Sequence, residues 1–493
     1  MRRALLIAAI WLSCLGLSWG EPVPSAEVTP QPSPLRTFTW SADADLRMLG
    51  QSWSWFTPTA PFDGAYSFLG ERLRARVRCK GEGFGALFEL QENALLGLPT
   101  HAVAPAPQGQ LGLGASYAAV AQRPSISSLG LRQALLRIGR PDDVVLQFGR
   151  MEYASGMEVP NADDPILNWM KRARIKDRLI GTFDFSEFGR TFDAGRLDVD
   201  GEFDHFSAFL AWPTQGGFES HFATEMPRVR VSNVAWTFKH SLRLPDSEAQ
   251  VFWMRYDDTR NVPFVDNRPI PRRGVVSTQG GIHIDSYGFH FVSRLGSQGD
   301  ALAWYAHQTG RWGTLTHKAD AYAVELGWRP KDVAWNPWFR VGHAYMSGDP
   351  NPSDAQHNTF YSPLPTVRAY ARFPFYGLMN LDDSFAQVLL APWKGGTVRF
   401  DAHALSLASS ADLWYAGSGA FQENGSFGMA GRPSGRKSGL ATLLDASIEH
   451  SFDQNNKLSL YFGRAFGGSV IKSIYPRNAN GSMLFLDYSL RLP

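Results

Sequence analysis

The chain has 493 residues, with 48 Lys and Arg against 46 Asp and Glu and a formal charge of +2. It holds 33 Phe, 16 Trp, 15 Tyr and 47 Gly, yet its mean hydropathy is only −0.22. Balanced charge gives no ground for a nucleic-acid partner, and aromatic richness without overall hydrophobicity suits strands that show one face to lipid and the other to water.

The first element is a leader. Arg2 and Arg3 precede an apolar run from Ala4 to Leu17, followed by the small residues Ser18 and Gly20. This is the pattern of a signal peptide over residues 1–20, cleaved before Glu21. The run is shorter than the roughly 20 residues of a membrane-spanning helix, and Trp11, three positions before Cys14, disfavours a lipid anchor there. Cleavage leaves Cys79 as the only cysteine, so neither an intramolecular disulfide nor a cysteine-based metal site can form. It also removes two arginines, so the mature chain has 46 acidic and 46 basic residues and is formally neutral. Residues 21–36 carry Pro22, Pro24, Pro30, Pro32 and Pro34, an extended tail expected to stay outside the folded body, in the periplasm.

Residues 37–493 read as strands by alternation. The candidates are 37–49, 66–80, 83–93, 129–138, 144–151, 190–199, 203–212, 229–240 and 249–257. They continue with 282–294, 300–309, 319–329, 336–347, 384–392, 397–408, 439–451, 457–466 and 481–492. The sixth and seventh form a hairpin about Asp200-Gly201-Glu202, in which Phe206, Ala208, Leu210 and Trp212 share one face and His205 and Ser207 the other. In the last strand Leu484, Leu486, Tyr488, Leu490 and Leu492 oppose Asp487, Ser489 and Arg491.

Short connections, such as Gly81-Glu82, Gly139 to Asp143, Leu244 to Glu248 and Phe452 to Asn456, alternate with long ones. The long ones include Ala94 to Ser128, Asp258 to Gly281, Gly348 to Asp383 and Ser409 to Ser438. A soluble sandwich explains alternating strands but not alternating loop lengths. The expected fold is an all-β transmembrane antiparallel β-barrel of about 18 strands in the bacterial outer membrane. Its short turns are periplasmic and its long loops extracellular, and closure removes the unpaired edges of so large a sheet.

Several motifs carry a resemblance. They are Leu131-Arg132-Gln133-Ala134, Phe148-Gly149-Arg150, Arg178-Leu179-Ile180-Gly181 and, most specific, Gly189-Arg190-Thr191-Phe192-Asp193-Ala194-Gly195-Arg196-Leu197. A second block holds Ser347-Gly348-Asp349, Asn351-Pro352-Ser353-Asp354, Asn358-Thr359-Phe360, Leu364-Pro365-Thr366 and Asp412-Leu413-Trp414-Tyr415. Together these resemble the alginate-export family of outer-membrane proteins. The resemblance implies an eighteen-stranded barrel that passes an anionic exopolysaccharide through an arginine-lined pore. It also marks Arg150, Arg178, Arg190, Asp193 and Arg196 as motif residues. The segment Met151 to Asp177 looks expanded and carries Lys171, Arg172, Arg174 and Lys176.

Arg72, Arg74, Arg76, Arg78 and Lys80 alternate with Leu73, Ala75, Val77 and Cys79, so all five cations share one face. A lipid-facing position would cost each about 2–4 kcal/mol near midplane, which places them in the lumen. Either they form a ladder for carboxylates, or they are a wall neutralised by acids such as Glu89. Arginine supplies 38 of the 48 basic residues, which favours the ladder. Alternation also places Arg255, Arg340 and Arg399 inward. Arg150 and Arg190 share the phase of apolar neighbours, and are expected at strand ends or beside a bulge, bracing a loop through Asp184, Glu187 or Asp193.

Catalysis has little support: the twelve His lack metal-ligand spacing, and no nucleophile elbow or phosphate loop is present. Asp163-Asp164 and Asp382-Asp383 fall in expected loops, where solvated acids or Ca²⁺ contacts are the usual explanation; no cofactor is otherwise implied. The expected function is passive export of an alginate-like anionic exopolysaccharide handed over by periplasmic machinery, in a protein otherwise surrounded by outer-membrane lipid. A selective porin importing small acidic solutes is the alternative, and an adhesive surface protein a third.

Overall fold

The computed structural model describes residues 38–492 apart from 141, 160–163, 240–245, 366–369 and 425–429. The leader and the Pro-rich tail lie outside the described residues, as do Asp163, Thr366 and part of the Leu244 to Glu248 turn.

Eighteen strands form the wall. They are β1 (Thr39–Ser54), β2 (Ala65–Gly81), β3 (Phe84–Leu96), β4 (Ser125–Gly139), β5 (Val144–Met151), β6 (Phe192–Asp200), β7 (Asp204–Pro213), β8 (Val229–Phe238) and β9 (Ser247–Asp258). The second half holds β10 (Ile282–Leu295), β11 (Gly299–Trp312), β12 (Leu315–Trp328), β13 (Trp338–Met346), β14 (Leu381–Leu390), β15 (Gly396–Ser406), β16 (Gly439–Ser451), β17 (Asn456–Gly467) and β18 (Asn480–Leu492). Neighbours in sequence pair antiparallel, and β18 returns to β1 in a register from Ala44↔Leu492 to Ser54↔Ser482. The sheet is therefore closed, and no strand edge is left to pair with another chain.

Loop lengths alternate as the sequence implies, with one exception. On the outer end β11 and β12 are joined only by Gly313-Thr314, where a longer connection is expected from alternation; Gly313 supplies the turn with φ +63. No helix among the described residues is long and apolar enough to cross a membrane.

Faces follow the period of two in most strands. In β7, Leu210 and Trp212 are exposed while His205, Ser207 and Phe209 are buried in the lumen. Strand β9 corrects the sequence reading. Gln250, Met254, Tyr256 and Asp258 are buried, so Phe252 shares the inward phase and Arg255 points outward, held by Asp257 and Asp285 at 3.2 and 3.3 Å. Asp382 and Asp383 also differ from expectation: they belong to β14 rather than a loop, and Asp383 accepts from His403 at 3.0 Å.

Arginine introduced at Leu210 or Leu486, both about half exposed on the outer face, is expected to destabilise the barrel by up to about 2–4 kcal/mol. A charge at Ser489, in the inward phase and lining a cavity, should cost far less. Unfolding midpoints in lipid vesicles check this; equal losses on both faces would mean a register displaced by one residue.

The lumen is filled from the outer side. The β5–β6 loop (152–191) and the β13–β14 loop (347–380) fold inward and meet through the parallel bridge Ile180↔Leu364. Phe183, Phe188, Phe360, Phe373 and Phe375 are almost completely buried among them. The apolar core thus sits inside the barrel, made by loops packed against its wall.

Candidate functional site

The β5–β6 loop reaches across the whole lumen, and local sequence explains how. Asp164 caps a short helix, α1 (Pro165–Met170), accepting from the backbone N–H groups of Ile166 and Leu167 at 2.6 and 3.1 Å, with Pro165 in the first turn. Asp164 also receives Arg294 Nη1 at 3.2 Å, so its carboxylate caps the helix and pairs with a cation rather than standing free in solvent. A wider turn, Lys171–Ile175, then aims its cations at the wall. Lys171 meets Glu248 of β9 at 2.6 Å, and Arg174 meets Glu325 of β12 at 3.1 Å. Arg340 of β13 joins this cluster, binding Glu325 at 3.0 Å and Asp300 of β11, with all three side chains closed to solvent.

On the opposite side the strand-two arginines face the lumen, and acids meet each of them. Arg74 binds Asp184 at 2.7 Å and lies 3.7 Å from both Glu89 and Glu152; Arg72 is 3.7 Å from Asp184. Arg76 binds Asp43 at 2.7 Å and also Asp45, while Arg78 binds Asp43. Asp184 belongs to the inward loop. Burial alone would raise its carboxyl pKa, but Arg74, Arg132 and Arg72 outweigh it and hold the group well below the usual carboxylate range. The row is therefore an ion-paired clamp on the loop as well as a lining.

Arg132 is a residue that alternation missed. Register slips between Glu89↔Gln133 and Leu90↔Leu131 leave Arg132 as the extra residue of a bulge on β4. The bulge turns it inward, where it binds Glu152 and Asp184 at 3.0 and 3.1 Å. Among the motif arginines, Arg150 points outward and pairs with Asp193 at 2.7 Å, also donating to the Ala223 carbonyl at 2.6 Å. Gly149 beside it has φ +117, and a Cβ there would meet the Ala134 carbonyl oxygen at 2.2 Å. Arg196 is inward and pairs with Asp198 at 2.8 Å. Arg190 lies in the loop rather than in a strand; its guanidinium covers the rings of Phe183 and Phe421 and donates to the Ala420 carbonyl at 2.9 Å. Arg178 sits over Trp304 and Tyr370.

What the loops leave open is a set of cavities along β1 and β15–β18, the candidate route. An inner cavity of about 450 Å³ is lined by Arg47, Arg172, Arg372, Arg399 and Lys457 against only two carboxylates, Glu449 and Asp487. Arg47 binds Asp487 at 2.8 Å, and Arg399 binds Asp401 while donating to the Tyr370 carbonyl at 2.7 Å. Arg372 and Lys457 share the single carboxylate of Glu449. Arg172 donates to Asn168 at 3.0 Å and has no acid partner among the described residues. A neighbouring cavity of about 340 Å³ shares Arg47, Lys457 and Ser489 with it and extends to Arg72, Arg74 and Arg491.

Toward the outside, a cavity of about 740 Å³ is lined by Phe183, Phe218, Phe421, Ile270, Arg273 and Arg432, with no carboxylate. Phe185 borders both this cavity and the inner one, and so forms the septum between them. Of the expected inward arginines, the structure brings Arg399 to the route, holds Arg340 in the wall cluster, and turns Arg255 away. Arg47, Arg372 and Lys457 were not singled out by sequence. Among the described residues no group of three His, Cys, Asp or Glu side chains is placed to hold a metal ion.

A closed barrel with an apolar outer face and a polar, charged lumen is an outer-membrane channel. Solved structures share its fold. One is the outer membrane protein OpdK from Pseudomonas aeruginosa, with 10% identity and TM-score 0.53, covering 92% of this chain and 99% of that one. Another is Pseudomonas aeruginosa OccK2 (OpdF), solved in complex with glucuronate, with 9% identity and TM-score 0.51 over 92% and 96%. A third is Pseudomonas aeruginosa OpdK with vanillate, with 10% identity and TM-score 0.52 over 92% and 98%. No curated protein sequence matches the chain. The chain belongs to the alginate export family, whose match covers residues 113–483. Fold and family are those of an outer-membrane channel.

Proposed function

We propose that the protein is a passive, anion-selective outer-membrane channel for small carboxylated solutes. The observation that carries this reading is the inner cavity, where Arg372 and Lys457 share one carboxylate and Arg172 has none. Guanidinium groups receive carboxylates by paired hydrogen bonds, and a watery lumen keeps each contact weak enough to release its solute to the next. The cavities, at about 340, 450 and 740 Å³, fall in the range of small-molecule sites, about 300–1,000 Å³. Passage is diffusive and needs no cofactor. Residues 1–20 serve as the signal peptide and 21–36 as a periplasmic tail.

Family membership favours a second reading: export of an acidic, alginate-like polysaccharide delivered by periplasmic machinery. That polymer would thread the same cations with the two inward loops displaced. Proteoliposome flux separates the readings. Glucuronate is expected to enter faster than glucose, with the advantage shrinking at high salt as screening tightens. Equal rates would contradict both readings, while entry of polyuronate chains would favour the second.

A further inference from the structure

The outer surface of the barrel carries a feature that a smooth lipid-facing wall does not need. A groove of about 620 Å³ runs across β13–β17, from Phe339 near the periplasmic end of β13 to Phe466 near the outer end of β17. Cross-strand register explains its shape. One row of outward side chains reads Phe339, Val388, Phe400, Ala446 and Phe462, each paired with the next. The row above reads Val341, Ala386, Ala402, Leu444 and Arg464. Small residues at Ala386, Ala402 and Ala446 make a floor, and Phe339, Phe400, Phe462 and Phe466 stand as walls.

Arg464 lines this groove near the outer end of β17, stacked on Phe466 with 5.3 Å from guanidinium to ring centroid. A cation on the lipid face is costly unless something answers its charge. Arg150 has Asp193, Arg230 has Asp257, and Arg255 has Asp257 and Asp285, whereas Arg311, exposed at the outer end of β11, pairs with no acid among the described residues. Arg464 forms no ion pair with an acid among the described residues. Asp445, which follows its cross-strand partner Leu444, and Asp401 border the groove but lie on the inward phase, nearly closed to solvent, and residues 424–444 and 454–486 contain no Asp or Glu. The same sector instead presents the exposed cations Arg436 and Lys437 just before β16, and Lys472 and Arg477 in the β17–β18 loop. An apolar groove under an unanswered basic rim calls for an anion that carries its own hydrocarbon.

We propose that this sector binds one phosphorylated saccharolipid of the outer leaflet. An acyl chain lies in the groove over Ala386, Ala402 and Ala446, and its phosphates meet Arg464 and the rim cations. The site depends only on the barrel's place in the membrane and is independent of what the lumen conducts.

Purified protein in detergent, titrated with lipopolysaccharide and with its dephosphorylated form, tests this by native mass spectrometry and thermal unfolding. Wild-type protein should bind the phosphorylated form and gain stability, and bind the dephosphorylated form more weakly. Arg464→Gln with Lys472→Gln should lower affinity by at least about tenfold, since each substitution removes a charge-assisted bond. Ala402→Phe, which fills the floor from the lipid side, should also lower it while leaving channel conductance unchanged as the control for folding. Equal binding of both lipid forms by wild type and variants would overturn the proposal. So would a lipid-free dimer that Ala402→Phe dissociates, since the groove would then belong to a second copy of the chain.

Discussion

Arg340→Met is expected to destabilise the barrel by about 3–5 kcal/mol, the usual cost of removing one partner from a buried ion pair. Arg340 is 1% exposed and lies between Trp169 and Trp338, with its guanidinium 5.3 and 4.9 Å from the ring centroids. Its loss strands Asp300, which keeps only the Trp338 Nε1 donor at 2.8 Å. Glu325 retains Arg174, so the inward loop keeps its tether to β12 while the Asp300 carboxylate is left buried without its counter-charge. Arg340→Lys should fall between, because an ammonium keeps the charge but cannot fork to two carboxylates. Adding Asp300→Leu to Arg340→Met should recover much of the loss, since a well-packed apolar replacement for a buried pair is often neutral. Denaturant unfolding followed by tryptophan fluorescence checks the series. A loss below about 1 kcal/mol for Arg340→Met would place the cluster in contact with water, where ion pairs are worth little.

The wall was largely legible in the sequence because one physical constraint, lipid on one side and water on the other, imposes a period of two. β7 shows it plainly: Leu210 and Trp212 outside, Ser207 and Phe209 inside. β9 was misread because Phe252, Trp253, Met254 and Tyr256 put apolar residues on both phases, leaving alternation nothing to decide by. Arg132 escaped because a bulge breaks the period at that residue. The strand-two row was readable as inward, but its partners were not. Asp43 and Asp45 come from β1, and Asp184 comes from a loop 110 residues from Arg74. Arg372 was invisible for a similar reason: it reaches the route from a loop whose inward fold depends on packing of Phe373 and Phe375 against the lumen, not on local pattern.

The second large effect concerns selectivity, and its site is the inner cavity rather than the strand-two row. Each arginine in that row already has an acid, so neutralising the row would expose Asp43, Asp45, Asp184 and Glu89 and loosen the loop it clamps. The cavity cations with half a carboxylate or none are Arg372, Lys457 and Arg172. A single unanswered charge at about 4 Å in water is worth about 1 kcal/mol, or roughly fivefold in local anion occupancy. Replacing all three with Gln should therefore bring an anion-preferring channel to near-equal permeability or past it, with folding kept because Glu449, the one acid left without a partner, opens onto the cavity and clamps no loop once Arg372 is gone. The direct measurement is the reversal potential of single channels in a planar bilayer under a potassium chloride gradient. Wild type is predicted to prefer chloride, and the triple variant to lose that preference in channels of comparable conductance. A wild-type channel that prefers potassium, or a triple variant as anion-selective as its parent, would contradict the account.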